Sequence, residues 1–126
     1  MKNKSSIARN KLLSALLLAG LSWQVPLAAA NDSANDSSLQ QTVSELGKLN
    51  GIALACNQPA LTARAREIMI DTVPKERSIG EYFEQATQQS FLAYGSAGKT
   101  CPDGKALASQ VDEVRSKLRR QLNKTP

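Results

Sequence analysis

The sequence predicts an all-α protein, a compact four-helix domain closed by one disulfide. Apolar residues recur at helical spacing in four segments of the chain. No segment shows the alternation of apolar and polar residues that a half-buried strand requires. The chain has two cysteines, Cys56 and Cys101. A bond between them would join the end of the first predicted helix to the start of the fourth.

The first helix is predicted over residues 39–55. Gly47 and Gly51 lie four residues apart on one face, where a neighbouring helix can approach closely. Each glycine lowers helix stability by about 1 kcal/mol relative to alanine. The alternative is a break at Asn50-Gly51, because this dipeptide is common in turns. The apolar stripe of this helix consists of Leu39, Val43, Leu46, Leu49, Ile52 and Ala53.

The second helix is predicted over residues 59–71. Pro59 suits a first helical turn, and Asn57 is expected to cap it. The helix should end before Pro74, because a residue that precedes proline avoids helical geometry. We expect the second and third helices to form an up-down hairpin between the two cysteines. The residues predicted to be buried are Leu61, Ala65, Ile68 and Met69.

The third helix has the clearest predicted start. Ser78 and Glu81 have the spacing of a capping box, in which the serine caps the first turn and the glutamate binds the serine amide. The helix should stop at Gly95. It carries every aromatic residue that follows residue 30. Such a stripe usually forms core, and a ligand groove is the alternative. The residues concerned are Tyr82, Phe83, Phe91 and Tyr94.

The fourth helix opens near Asp103, which is expected in the first turn beside the positive end of the helix dipole. Glu113 with Lys117, and Asp112 with Arg115, have the spacing of ion pairs within one helix. Apolar residues repeat at alternating intervals of four and three, which predicts an amphipathic helix. These residues are Leu107, Val111, Val114, Leu118 and Leu122.

A basic cluster at the end of the fourth helix is the first candidate binding surface. It could recognise an acidic protein, lipid phosphates or an anionic lipid face. The alternative is that these residues complement the negative end of the helix dipole and keep the protein soluble. The cluster consists of Lys117, Arg119, Arg120 and Lys124.

Three interpretations of the two cysteines are open. A structural disulfide would close a loop of about 45 residues and constrain the unfolded chain by ~4 kcal/mol. A redox-active pair is more typically close in sequence, as in Cys-x-x-Cys. A metal site would need further ligands, and the chain contains no histidine. The sequence favours the structural disulfide and predicts no metal.

The absence of histidine also restricts catalysis. It excludes nucleophiles that a histidine activates. Carboxylate pairs for glycoside hydrolysis could be drawn from Glu81 with Glu84, or from Asp112 with Glu113, but both lie on helix faces expected to be exposed. No glycine-rich phosphate loop follows a strand. We therefore expect a protein without enzymatic activity or cofactor.

Residues 1–30 have the organisation of a cleavable secretory signal, with a basic head, a short apolar run and small residues before Ala30. An uncleaved anchor is the alternative, but the apolar run is shorter than the ~20 residues of a membrane span. We expect a periplasmic or secreted protein without a transmembrane span after cleavage. The remaining chain would divide into a flexible leader (31–38), a helical domain (39–122) and a frayed tail (123–126).

Removing this segment changes the charge argument. The whole chain has 16 basic and 11 acidic residues, a net charge of +5. Four of the basic residues and none of the acidic ones lie in residues 1–30, so the remaining chain carries a net charge of +1. The basicity that could indicate nucleic-acid binding therefore belongs to the export signal. We expect no nucleic-acid partner.

The arrangement resembles a class of small exported all-α proteins, the acid chaperones called HdeA-like. The resemblance lies in the signal segment, the size, the two distant cysteines, the four helices and the basic final helix. It is architectural, so no functional residue is carried over. It implies a periplasmic chaperone that exposes apolar surface at low pH.

These observations lead to the expectation of a module that works by binding. The first hypothesis is an accessory or inhibitory partner of another envelope or exported protein. A periplasmic stress chaperone is the second hypothesis, and a binder of a small apolar ligand is the third. An exposed apolar patch would favour the first, acid-induced exposure the second, and a closed apolar cavity the third.

Overall fold

The computed structural model describes residues 27–124, with the side chains of residues 34–124. This part of the chain is all-helical and contains no strand, as predicted. Its four helices are α1 (Leu27–Ala55), α2 (Pro59–Thr72), α3 (Arg77–Gly95) and α4 (Gly104–Leu122).

Helix α1 is the centre of the fold and packs against each of the other three helices. Helix α2 also packs against α4. Within the described residues, however, α3 packs against neither α2 nor α4. The expected hairpin of the second and third helices is therefore wrong, because both helices pack against α1 and not against each other.

The core forms where α1 faces the other helices. Phe83 of α3 and Leu118 of α4 are both buried, as the apolar stripes of these helices predict. The other buried apolar residues are Val43, Leu46, Leu49, Ile52, Ala53, Leu61, Ala65, Ile68, Val73, Ile79, Leu107, Val111 and Val114.

Helix α1 differs from the prediction at its start. It begins at Leu27 rather than near Leu39, and the expected flexible leader, residues 31–38, continues the helix. Residues 34–38 are exposed, so these five residues lie outside the core. Most of the predicted signal, residues 1–26, lies outside the described part of the chain.

In the turn between α1 and α2, Asn57 does not cap the second helix as predicted. Asn57 has a left-handed φ of 55°. Its N–H donates to the carbonyl of Leu54, and the N–H of Gln58 donates to the carbonyl of Ala53. This is a Schellman arrangement, in which the left-handed residue ends a helix. Asn57 thus closes α1, and Gln58 precedes α2 without a side-chain cap.

The predicted capping box of α3 is wrong. The N-cap is Glu76, without a side-chain cap, and Ser78 already lies inside the helix. Glu81 instead pairs with Arg77, one turn earlier, at 3.3 Å. In α4, Asp103 is the N-cap, and its carboxylate accepts hydrogen bonds from the N–H groups of Lys105 and Ala106.

Helix α1 is unbroken at Asn50-Gly51, so the alternative of a turn there is wrong. Gly47 and Gly51 instead allow α3 to pack closely against α1. A Cβ added to Gly47 would lie 3.0 Å from the Cβ of Ala86, and one added to Gly51 would lie 2.8 Å from the Cβ of Ser90. Either Cβ would also collide with the backbone of α3. The absence of two side chains therefore sets how closely α3 approaches α1.

We predict that Gly51→Ala lowers the free energy of unfolding by about 1–3 kcal/mol, because overpacking outweighs the gain in helix propensity. Gly80→Ala is the matched control within α3, since nothing lies within 4 Å of its added Cβ. The control should raise stability by about 0.5–1 kcal/mol. Urea denaturation of the two variants measures both effects. Equal stabilisation by both alanines would contradict the close approach.

The predicted disulfide is present between Cys56 and Cys101, whose Cα atoms are 5.8 Å apart. Cys56 directly follows α1, and Cys101 lies in the segment that precedes α4. The bond joins residues that are 45 positions apart in the sequence, and the loop that it closes contains both α2 and α3. It therefore restricts the unfolded chain over almost half of the described residues.

We predict that Cys56→Ser with Cys101→Ser lowers the free energy of unfolding by about 2–5 kcal/mol. The reason is the restored entropy of the unfolded loop. Urea denaturation of the oxidised protein and of the double variant gives the difference, and the reduced wild-type protein serves as the control. Indistinguishable curves for the oxidised protein and the variant would refute this account.

Candidate functional site

An open groove lies between α2 and α3, because these two helices flank α1 without packing against one another. We call it the α2–α3 groove. Its volume is about 700 Å³. The floor comes from α1 and the two walls from α2 and α3. The lining residues are Asn50, Leu54, Arg66, Met69, Ile70, Arg77, Gly80, Glu81, Phe83, Glu84 and Thr87.

The groove holds apolar side chains that the core does not cover. Ile70 of α2 is 64% exposed and Leu54 of α1 is 39% exposed. Met69 is half-buried beside them, and Phe83 is buried at the base of the α3 wall. A single exposed aliphatic residue needs no explanation, but two that converge on one concave surface beside the half-buried Met69 make that surface a candidate contact site.

A chain of hydrogen bonds joins the floor of the groove to its α3 wall. The Thr87 hydroxyl donates to the Gly47 carbonyl at 3.0 Å, and the Asn50 amide Nδ2 donates to the Thr87 oxygen at 3.2 Å. Because the hydroxyl has one proton, its bond to Gly47 fixes the amide of Asn50 as the donor. The buried Asn50 and the half-buried Thr87 therefore hold α3 to α1 in one register.

The walls of the groove carry opposite charges. Arg66 is exposed on the α2 wall. Glu81 and Glu84 are exposed on the α3 wall, where Glu81 is paired with Arg77. Arg66 and Glu84 form no ion pair within the described residues. The groove is thus an apolar trough with a basic edge on one side and an acidic edge on the other.

The four aromatic residues of α3 do not form one site. Phe83 is buried, while Tyr82 and Phe91 are 37% and 44% exposed. Tyr82 and Phe91 are nine residues apart, which places them on opposite flanks of the helix. Tyr94 is half-buried against the core, and the Lys99 ammonium lies 5.6 Å from the centroid of its ring. Only Phe83 is part of the groove lining.

The predicted basic cluster is divided by its contacts. The Lys117 ammonium binds the Glu45 carboxylate on α1 at 3.0 Å, so it holds α1 to α4. Arg119, Arg120 and Lys124 are exposed at the end of α4. Because Lys117 already has a carboxylate partner, the structure provides less free positive charge at this end than the sequence suggests.

The two ion pairs predicted within α4 are wrong. Asp112 pairs with Arg64 of α2 at 2.6 Å instead of with Arg115, and Lys117 pairs with Glu45 instead of with Glu113. Both observed pairs join different helices, which spacing within one helix does not reveal. Their side chains are half-exposed, so each contributes only about 0–1 kcal/mol.

Sequence reasoning missed the α2–α3 groove, although a signal was present. Leu54 and Ile70 are the large apolar residues that the predicted stripes of the first two helices leave out. An amphipathic helix that carries an apolar residue outside its buried stripe exposes that residue to solvent or to a partner.

Comparison of the chain with family models, with curated proteins and with solved structures gives no match. Within residues 27–124, no helix is both long enough and apolar enough to cross a membrane.

Proposed function

We propose that this protein is an exported, non-enzymatic binding module that acts as an accessory or inhibitory partner of another envelope or exported protein. The α2–α3 groove is the binding surface. The observation that carries the proposal is the convergence of Leu54 and Ile70, both well exposed, on one concave surface between two helices. Apolar surface of this kind gains free energy when a partner removes it from water.

The shape of the groove supports a protein partner over a small apolar ligand. A site for a small molecule typically encloses most of the ligand surface. Here the exposure of Ile70, at 64%, shows that the groove is open to solvent along the α2 wall. A protein segment can cover such a groove and extend beyond it. The proposed partner is therefore a protein surface.

The proposed compartment, the periplasm or the exterior, rests on the signal-like organisation of residues 1–30 and is compatible with the disulfide. Disulfides form and persist in oxidising compartments. The Cys56–Cys101 bond would accordingly form after export.

We predict that Ile70→Glu and Leu54→Glu each lower capture of the native partner from an envelope extract by at least about tenfold, because a carboxylate would be desolvated in an apolar contact. The bait is the oxidised protein. Leu92→Glu is the matched control, because Leu92 is 50% exposed but lies outside the groove. Unfolding curves should confirm that all three variants fold.

The proposed binding surface is wrong if Leu92→Glu reduces capture while the two groove variants leave it unchanged. Equal losses in all three variants would also contradict it, because they would indicate a general effect of added negative charge. A loss restricted to the groove variants supports the proposal.

An acid-triggered chaperone is the second candidate, and the isolation of α3 favours it. Among the described helices, α3 packs only on α1, so its release would expose Ile79 and Phe83. The attachment of α3, however, consists of glycine packing and of bonds between neutral groups at Asn50 and Thr87. The three ion pairs of the described residues do not cross this contact. Protonating carboxylates therefore removes little that holds α3.

We predict no increase in binding of an apolar-surface dye between neutral pH and about pH 3, and no protection of an aggregating client protein over that range. The physical reason is that acid leaves the α1–α3 contact chemically unchanged. Dye fluorescence and light scattering of the client measure the two effects. A sharp rise in dye binding together with client protection would contradict the binding-module hypothesis and favour the chaperone hypothesis.

A further inference from the structure

We propose that the segment bound in the α2–α3 groove is an amphipathic α-helix whose polar edges carry opposite charges. This inference rests on the proposed function and names the kind of partner that the same groove accepts. It follows from three properties of the groove: the scarcity of hydrogen-bond partners for a backbone, the position of the exposed apolar side chains and the opposite charges of Arg66 and Glu84 on the two walls.

The first property concerns the backbone of the bound segment. An extended segment would bring a row of N–H and C=O groups into the groove, and each would need a hydrogen-bond partner. The described part of the chain has no strand whose edge could pair with them. The polar side chains at the base of the groove offer few partners, because Asn50 Nδ2 donates to Thr87 and the Thr87 hydroxyl donates to Gly47. Asn50 Oδ1 has no partner among the described residues, but it is buried. A helix satisfies its own backbone, so it can enter an apolar groove without this cost.

The second property is the distribution of apolar groups. Leu54 and Ile70 are presented by the floor and one wall, and polar residues line both rims. An amphipathic helix presents an apolar stripe flanked by polar residues, which matches this cross-section.

The third property is charge. Arg66 on the α2 wall attracts an acidic residue, and Glu84 on the α3 wall attracts a basic one. The bound helix should therefore carry acidic residues along one edge of its apolar stripe and basic residues along the other. A helix that is acidic on both edges would face Glu84 with a like charge, whichever direction it ran.

The test uses the oxidised protein and fluorescent synthetic peptides of about 18 residues. The first peptide has leucines at intervals of three and four, with one acidic edge and one basic edge. The second has the same composition in an order that scatters the leucines. The third has acidic residues on both edges. Fluorescence anisotropy measures affinity, and circular dichroism shows whether the peptide becomes helical when bound.

The first peptide should bind, become helical and bind at least about tenfold more tightly than the scattered peptide. Ile70→Glu should lower its affinity by at least about tenfold, and Leu92→Glu should leave it unchanged. Glu84→Lys should weaken the first peptide by about two- to fivefold, which is the range of an exposed ion pair. The same variant should bind the doubly acidic peptide more tightly than the wild-type protein does.

Three results would overturn the inference: equal binding of the first and scattered peptides, binding without a gain of helix, or insensitivity to Ile70→Glu. If Glu84→Lys binds the doubly acidic peptide no more tightly than the wild-type protein does, the assignment of the charged edges is wrong. These outcomes are separable from a failure of the proposed function. If capture of the native partner depends on Leu54 and Ile70 while no helical peptide binds, the groove is a binding surface for a different structure.

Discussion

The close contact between α1 and α3 is the constraint on which the rest of the structure depends. Gly47 and Gly51 leave no side chain between the helices, so the α3 backbone lies directly against α1. The hydrogen bonds from Asn50 to Thr87 and from Thr87 to Gly47 then fix the register. Small residues allow the approach, and the two hydrogen bonds make it specific, because an alternative register would break them.

This contact also explains why the groove exists. Helix α3 buries its apolar residues against α1 and, within the described residues, packs against neither α2 nor α4. Its flank toward α2 consequently remains open above α1. The exposed side chains of Leu54 and Ile70 follow from this geometry rather than from a local irregularity, since both helices that carry them are regular.

Sequence periodicity predicted the four helices and the buried faces of α3 and α4, because these depend on spacing along the chain. The disulfide was predicted from the two cysteines, because the chain lacks the histidines of a metal site and the close spacing of a redox pair. Periodicity did not predict partners. The pairing of Asp112 with Arg64, and of Lys117 with Glu45, depends on which helices meet. The start of α1 was also missed, because a polar composition lowers the expectation of helix without preventing it. Leu54 and Ile70 are the large apolar residues outside the predicted stripes of the first two helices, and their position is the trace of the groove that the sequence carries.

Helix α3 is held at both ends, and this affects how a partner would bind in the groove. A four-residue link, 73–76, joins its start to α2, and the disulfide fastens the segment after its end to α1. The glycine contact holds the helix between these two points. Both walls of the proposed binding surface are therefore held in place, and little ordering would be required for a partner to bind there. A preformed groove loses less conformational entropy on association than a mobile one, so a modest apolar surface can support useful affinity. The stability of the α1–α3 contact and the affinity of the groove should for this reason be coupled: a change that loosens α3 weakens binding even when every groove residue is retained.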